Sequence, residues 1–180
     1  MTIQQVSFSA ILDAPNWDEL KAEYERECSI PAIGPIKPNR TIYEQLEQNG
    51  IAYCFGVFVN AGECVALRGN AGKMEITHEL PANYPPITRE PVLVGFVNLL
   101  MSIYPHYSRK MATVESLFIA KAARPKISAP ELMRRIDQFA LDAGCVGILY
   151  SARAGSSFEA FLDAKKGYEQ TNSVFFKSLA

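Results

Sequence analysis

The sequence has almost no net charge: 18 basic residues stand against 19 acidic ones, a formal charge of −1. A dedicated nucleic-acid binder carries a basic surplus to displace counterions from phosphates, so no nucleic-acid partner is expected. Long hydrophobic runs are also missing. No stretch approaches the ~18 apolar residues of a membrane helix, so no membrane partner is expected. The opening Met1-Thr2-Ile3-Gln4-Gln5 has no basic region followed by an apolar run and does not read as a signal peptide. Paired cysteines are absent too. Cys28, Cys54, Cys64 and Cys145 form no CxxC, and their spacing suits neither a zinc site nor a small disulfide framework. They read as reduced thiols of a cytoplasmic protein, mostly buried or in strands. The two histidines, His78 and His106, have no Cys or carboxylate at ligand spacing, so no metal site is expected.

What is present is the composition of one globular domain. The chain has 180 residues, 48% of them apolar, enough for a single domain over 1–180 with a real core and too short for two ordinary ones.

Periodicity and punctuation divide the chain into elements. Residues 3–9 read as a short strand. Asn16 is placed to cap a helix over 17–27, with Trp17, Leu20 and Tyr24 at steps of three and four. Three prolines and a glycine make 30–38 a loop. A second helix follows over 41–48, with Ile42 and Leu46 on one face and Asn49-Gly50 as its stop. Strands are expected at 51–59, 91–104 and 112–119. The stretch 69–90 holds Gly69, Gly72, Pro81, Pro85 and Pro86 and reads as a long loop insertion, a length that usually has a use. Ser128, with Glu131 three residues on and Pro130 in the first turn, opens an amphipathic helix through Ala140 that Gly144 ends. A buried strand over 146–150 follows, then a helix from Ser156 with Glu159 three residues on, ended by Gly167. The last strand is expected at 171–179. Strands before helices, then alternation, predict an α/β fold with a mixed sheet and helices on both faces. The phenylalanines Phe55, Phe58, Phe96 and Phe118 read as core.

This order, with a basic loop between a strand and a capped helix, resembles the GNAT acyl-CoA N-acyltransferases. The stretch Leu117 to Met133, LFIAKAARPKISAPELM, lies on the family's signature. That signature is an Arg or Gln, two residues, a Gly, one residue, and a Gly or Ala at a helix start. Arg124 matches the Arg and Ala129 the final small residue, while Ile127 stands at the first Gly. Asp142-Ala143-Gly144-Cys145 and Lys165-Lys166-Gly167-Tyr168 also suit the family. The resemblance covers 92–179 well and the first ninety residues by element order. It is to a divergent member, of the kind that is small and stands alone, some from phages.

The resemblance implies acetyl-CoA as cosubstrate. Its pyrophosphate would meet the start of the helix after Ser128, where unpaired N–H groups and the helix dipole favour an anion. It implies a cofactor-binding set of Leu117, Phe118, Ile119, Arg124, Lys126, Ile127, Ser128, Ala129 and Ser156, with the pantetheine arm pairing along the strand 114–120. Two features narrow the loop: Ile127 has a Cβ where the family has glycine, and Pro125 and Pro130 lack N–H donors.

For the chemistry, the acceptor amine must lose a proton and the leaving thiolate must be stabilised or protonated. Some family members place a carboxylate base where Glu115 stands; the plain alternative is a polar residue on the exposed side of a half-buried strand. The family's usual acid, a tyrosine of the last helix, is replaced by Asp163. Tyr168 lies past the Gly, as a candidate acid or a packed residue, and Ser156 offers a hydroxyl. His106 sits on a turn, as a candidate base or an exposed side chain. Arg134 and Arg135 read as a solvated face.

Three readings stand on the sequence. The first is an acetyl-CoA-dependent N-acetyltransferase acting on a primary amine of a small molecule, peptide or protein. The second is a GNAT-like acyl-CoA-binding or regulatory module with weak or no catalysis. The third is an interaction protein whose 69–90 loop binds a partner. The family often dimerises, so the first two allow a homodimer.

Overall fold

A computed structural model describes residues 1–30, 33–60, 91–171 and 177. The loop expected at 69–90 and nearly all of the strand expected at 171–179 lie outside the described residues. Among the described residues, five strands form one sheet in the order β1-β2-β3-β4-β5. They are β1 (Thr2–Val6), β2 (Ala52–Val59), β3 (Val92–Tyr104), β4 (Arg109–Ile119) and β5 (Gly147–Tyr150). The first four pair antiparallel and β5 joins β4 in parallel. The helices are α1 (Phe8–Leu12), α2 (Trp17–Cys28), α3 (Arg40–Gln48), α4 (Ala129–Asp142) and α5 (Ser157–Ala164). None of the described helices is long and apolar enough to cross a membrane.

The sheet buries both faces, which is why β2 and β3 read as near-continuous apolar runs. On one face, Leu132, Ile136 and Ala140 of α4 pack on Phe55, Val57, Val97, Leu99 and Val114. On the other, Phe8, Ile11 and Leu20 of α1 and α2 pack on Cys54, Leu93, Phe96 and Phe118. Each Val, Leu, Ile or Phe among them contributes about 1.5–3 kcal/mol on full burial. The four phenylalanines expected as core lie in or against it, on the two faces of the sheet. Phe55 meets Phe139 of α4 at 5.0 Å, whereas Phe96 and Phe118 lie beneath α2.

Caps set the helix bounds as expected for α4 and α5. Ser128 Oγ accepts from the Glu131 amide at 3.3 Å, and Ser156 Oγ from the Glu159 amide at 3.1 Å. Gly144 and Gly167 take left-handed φ of +81° and +94°, where a Cβ is strained.

Four local expectations are corrected. The first strand stops at Val6, because Ser7 caps α1 by accepting from the Ala10 amide at 3.1 Å. Asn16 precedes α2 without capping it; its Nδ2 instead donates to Leu93 O at 2.7 Å. In α3 it is Tyr43, not Ile42, that turns inward: Tyr43 stacks on Phe8 at 3.7 Å while Ile42 is exposed. The strand over 147–150 is half-buried rather than buried. Of the described cysteines, Cys54 and Cys145 are buried and Cys28 is exposed.

Candidate active site

Two irregularities of β4 create the site. Pairing with β5 runs only from Met111↔Gly147 to Val114↔Tyr150. Beyond Val114, the edge of β4 from Glu115 to Ile119 has no strand partner on that side among the described residues. At the same point the pairing with β3 slips. Asn98 faces Ser116 and Leu99 faces Val114, so Glu115 is the extra residue of a bulge. Bulges re-aim side chains and are frequent beside active sites.

The bulge turns Glu115 toward α2 and α3. Tyr43 faces it: burial first, then the charge of Glu115 and a hydrogen bond to it, push the Tyr43 phenol well above its ordinary value. The Tyr24 ring lies 5.1 Å from Phe96 and 5.3 Å from Phe118, so it covers that pair of strand residues. Its phenol is pushed up to about 12, mainly by burial and next by the Glu115 charge, while a hydrogen bond with Ser116 acts the other way. Asn98 Nδ2 donates to Ser116 Oγ at 2.8 Å, and both residues are buried. Asn98 and Ser116 thus form a buried polar pair, while the exposed Glu115 acts electrostatically on both Tyr24 and Tyr43. Sequence reasoning singled out only Glu115. Tyr24 counted as one member of a helix stripe, and no local signal marked Asn98 or Ser116, because a bulge exists only in the pairing of two strands.

At the far end of the open edge the chain turns tightly into α4. The amides of Ala123 and Arg124 donate to Ala120 O, and those of Lys126 and Ile127 to Ala123 O. Ile127 is buried and packs into the α4-side core, so its side chain does not fill the space in front of the helix. Ser128 and Ala129 open α4, where a helix leaves N–H groups without internal partners. Lys126 is exposed. Arg124 is held from three sides: Nε donates to Ile119 O at 2.9 Å, the guanidinium pairs with Glu27 of α2, and it stands 5.8 Å over the Phe118 ring. Glu23 of α2 also accepts from the Lys121 amide at 2.6 Å, so α2 braces this turn. Along the edge itself, Phe118 packs under α2, while Leu117 and Ile119 face the α4-side core.

The remaining expected residues lie elsewhere. His106 is exposed in the β3–β4 turn, and six residue steps of strand run from Arg109 to Glu115, about 20 Å at strand rise. Tyr168 packs 5.7 Å from Tyr150 with the Lys165 Nζ 4.9 Å from its ring. Burial, then the Asp137 charge, raises its phenol. It belongs with Asp137 of α4, on the opposite side of the sheet from the Tyr43–Glu115 contact. The Ser156 hydroxyl is used as the α5 cap. Asp163, Arg134 and Arg135 are exposed, and Arg135 reaches Glu131 at 3.4 Å. Among the described residues no group of three or more His, Cys, Asp or Glu could hold a metal.

No family model and no curated relative matches this sequence. Solved structures do match over almost the whole chain. An aminoglycoside acetyltransferase from an uncultured soil metagenomic sample, in complex with sisomicin, aligns with a TM-score of 0.61 at 13% identity, covering 99% of this chain and 96% of that one. The fold is that of the GNAT acetyltransferases. A ribosomal-protein-alanine N-acetyltransferase from Brucella melitensis biovar Abortus 2308 aligns at 0.60 with 16% identity, covering 98% of each chain. A third similar GNAT-fold structure is the aminoglycoside acetyltransferase AAC(6')-Iy in complex with a CoA-containing bisubstrate analogue. It aligns at 0.59 with 13% identity and coverages of 99% and 97%.

Proposed function

We propose that this chain is an acetyl-CoA-dependent N-acetyltransferase acting on a primary amine. The observation that carries the reading is the open β4 edge from Glu115 to Ile119, which leads directly into the start of α4. A pantetheine arm has amide groups that suit an unpaired strand edge, and the pyrophosphate would then meet the N–H groups of Ser128 and Ala129. Lys126 lies exposed beside that turn, and Arg124 adds a guanidinium. Glu115 at the bulge is the base for the amine proton. The acceptor is a small amine-bearing molecule or a peptide. The first classes to screen are an aminoglycoside such as sisomicin and a peptide with a free N-terminal alanine, following the similar structures.

Thermal unfolding with CoA and acetyl-CoA tests the cosubstrate. At 100 times its Kd a ligand adds about 2.7 kcal/mol, roughly 5–11 °C for a chain of this length. A shift that Arg124→Glu removes supports the site. No shift at millimolar acetyl-CoA sinks the reading.

A second reading is an acyl-CoA-binding module without turnover. Asp163 at the family's tyrosine position and the engagement of Arg124 by Glu27 favour it. It predicts the same thermal shift, with no CoA released in the presence of any amine.

A further inference from the structure

The two halves of α2 are held in different ways. In the first half Leu20 is buried, and the rings of Trp17 and Tyr24 pack on Phe96 at 5.6 and 5.1 Å. Past Tyr24 the helix has no buried side chain, and Arg26, Glu27 and Cys28 are exposed. A row of carboxylates holds this half instead, each with a partner outside the helix. Glu23 accepts from the Lys121 amide at 2.6 Å, Glu25 from the Ile36 amide at 3.0 Å, and Glu27 pairs with the Arg124 guanidinium.

Within the helix itself these acids are badly placed. Glu25 and Glu27 lie in the last turn, where the helix dipole is negative and favours cations. Arg26 is the basic residue of that turn. Glu23 and Glu27 are four residues apart, so their like charges are neighbours on the helix surface. The turn closes with the Ser29 amide donating to Glu25 O at 3.1 Å. Its stability therefore leans on the cation that Glu27 meets, and that cation belongs to the turn leading into α4. Arg124 keeps its Nε on Ile119 O at 2.9 Å and its plane over Phe118, so only its outer nitrogens are shared with Glu27. A pyrophosphate brings two negative charges to those nitrogens where Glu27 brings one.

We propose that the last turn of α2 is a latch that CoA opens, an inference that rests on the acetyltransferase reading above. The phosphates take the outer nitrogens of Arg124, and Glu27 loses its cation. Glu27 is then left at the negative end of a helix beside Glu23, and the turn from Glu25 to Cys28 unwinds. Glu25 comes away from the Ile36 amide as it does so, which frees the loop after α2 along with the helix end. Leu20, Trp17 and Tyr24 keep the first half of α2 on the sheet. Latch and phosphates draw on one guanidinium, so each weakens the other by the same factor. The end of α2 thereby signals, on the opposite side of the turn from α4, whether CoA is bound.

Amide hydrogen exchange read by NMR, with and without CoA, tests this and needs no acceptor amine. A ligand that binds the native state ordinarily slows exchange. Here the amides of Cys28 and Ser29 are expected to exchange roughly tenfold faster with saturating CoA, while those of β3 and β4 slow. In Glu27→Gln, a substitution on an exposed side chain, the rise is expected to vanish, because no charge loses its partner. CoA binding that leaves Cys28 and Ser29 unchanged or slower overturns this proposal alone, as does a rise that persists in Glu27→Gln. CoA that fails to bind wild type overturns the acetyltransferase reading and this proposal with it.

Discussion

The Tyr150 hydroxyl donates to Asp137 Oδ1 at 2.7 Å, fastening the end of β5 to the middle of α4. Tyr150 is also the last residue of β5 paired with β4. The point at which the two strands part is therefore held by a side chain as well as by the ladder. Tyr150→Phe removes the hydroxyl that Asp137 Oδ1 accepts from and leaves the Tyr168 phenol as its neighbour. It should lower stability by about 1–3 kcal/mol in urea unfolding. Asp137→Asn should cost less, because a neutral amide oxygen still accepts.

Gly95 allows β3 and β4 to approach at the far end of the open edge. A Cβ there would stand 2.6 Å from Phe118 O and 3.2 Å from Ile119 Cα, both backbone atoms that cannot swing aside. Gly95→Ala should destabilise the protein by about 1–3 kcal/mol and shrink the CoA-induced rise in melting temperature. An unchanged CoA shift would mean that this edge is not where CoA lies.

Glu27 holds the Arg124 guanidinium that a pyrophosphate would use. Both side chains are partly exposed, so their pairing adds little to stability. Glu27→Gln should leave the melting temperature nearly unchanged and tighten CoA binding roughly threefold by calorimetry. Weaker binding would show that the pair orients Arg124 rather than competing for it.

Tyr24 gives a pH signature to folding. Its phenol ionises near 10 when unfolded and at about 12 when folded. Between those values the native state holds more protons than the unfolded chain, so stability falls as pH rises. Its contribution is complete below pH 10 and is lost progressively toward pH 12. Melting temperatures at pH 9 and 11 should show a steeper fall for wild type than for Tyr24→Phe.

The helices that frame the site were legible because their ends are chemical. Ser128 with Glu131, Ser156 with Glu159, and the glycines at 144 and 167 mark boundaries by local bonding alone. The mixed sheet followed from the order of those elements. α1 escaped because five residues carry too little periodicity. Tyr43 and Ile42 are neighbours, and only tertiary packing decides which faces Phe8. The site's finer features depend on partners far apart in sequence: Arg124 with Glu27, Lys121 with Glu23, Ser116 with Asn98. The bulge that exposes Glu115 is a property of strand register, which no single segment encodes.

An unpaired edge within a sheet has a cost outside chemistry. Among the described residues, the backbone groups of β4 between Glu115 and Ile119 that β3 and Arg124 do not use are open to an extended chain, another copy included. A carboxylate at one end and a tight turn at the other are the features by which short edges resist such pairing. A ligand lying along this edge would also act as a guard, so the protein should clump more slowly on heating with CoA than its gain in melting temperature alone would explain.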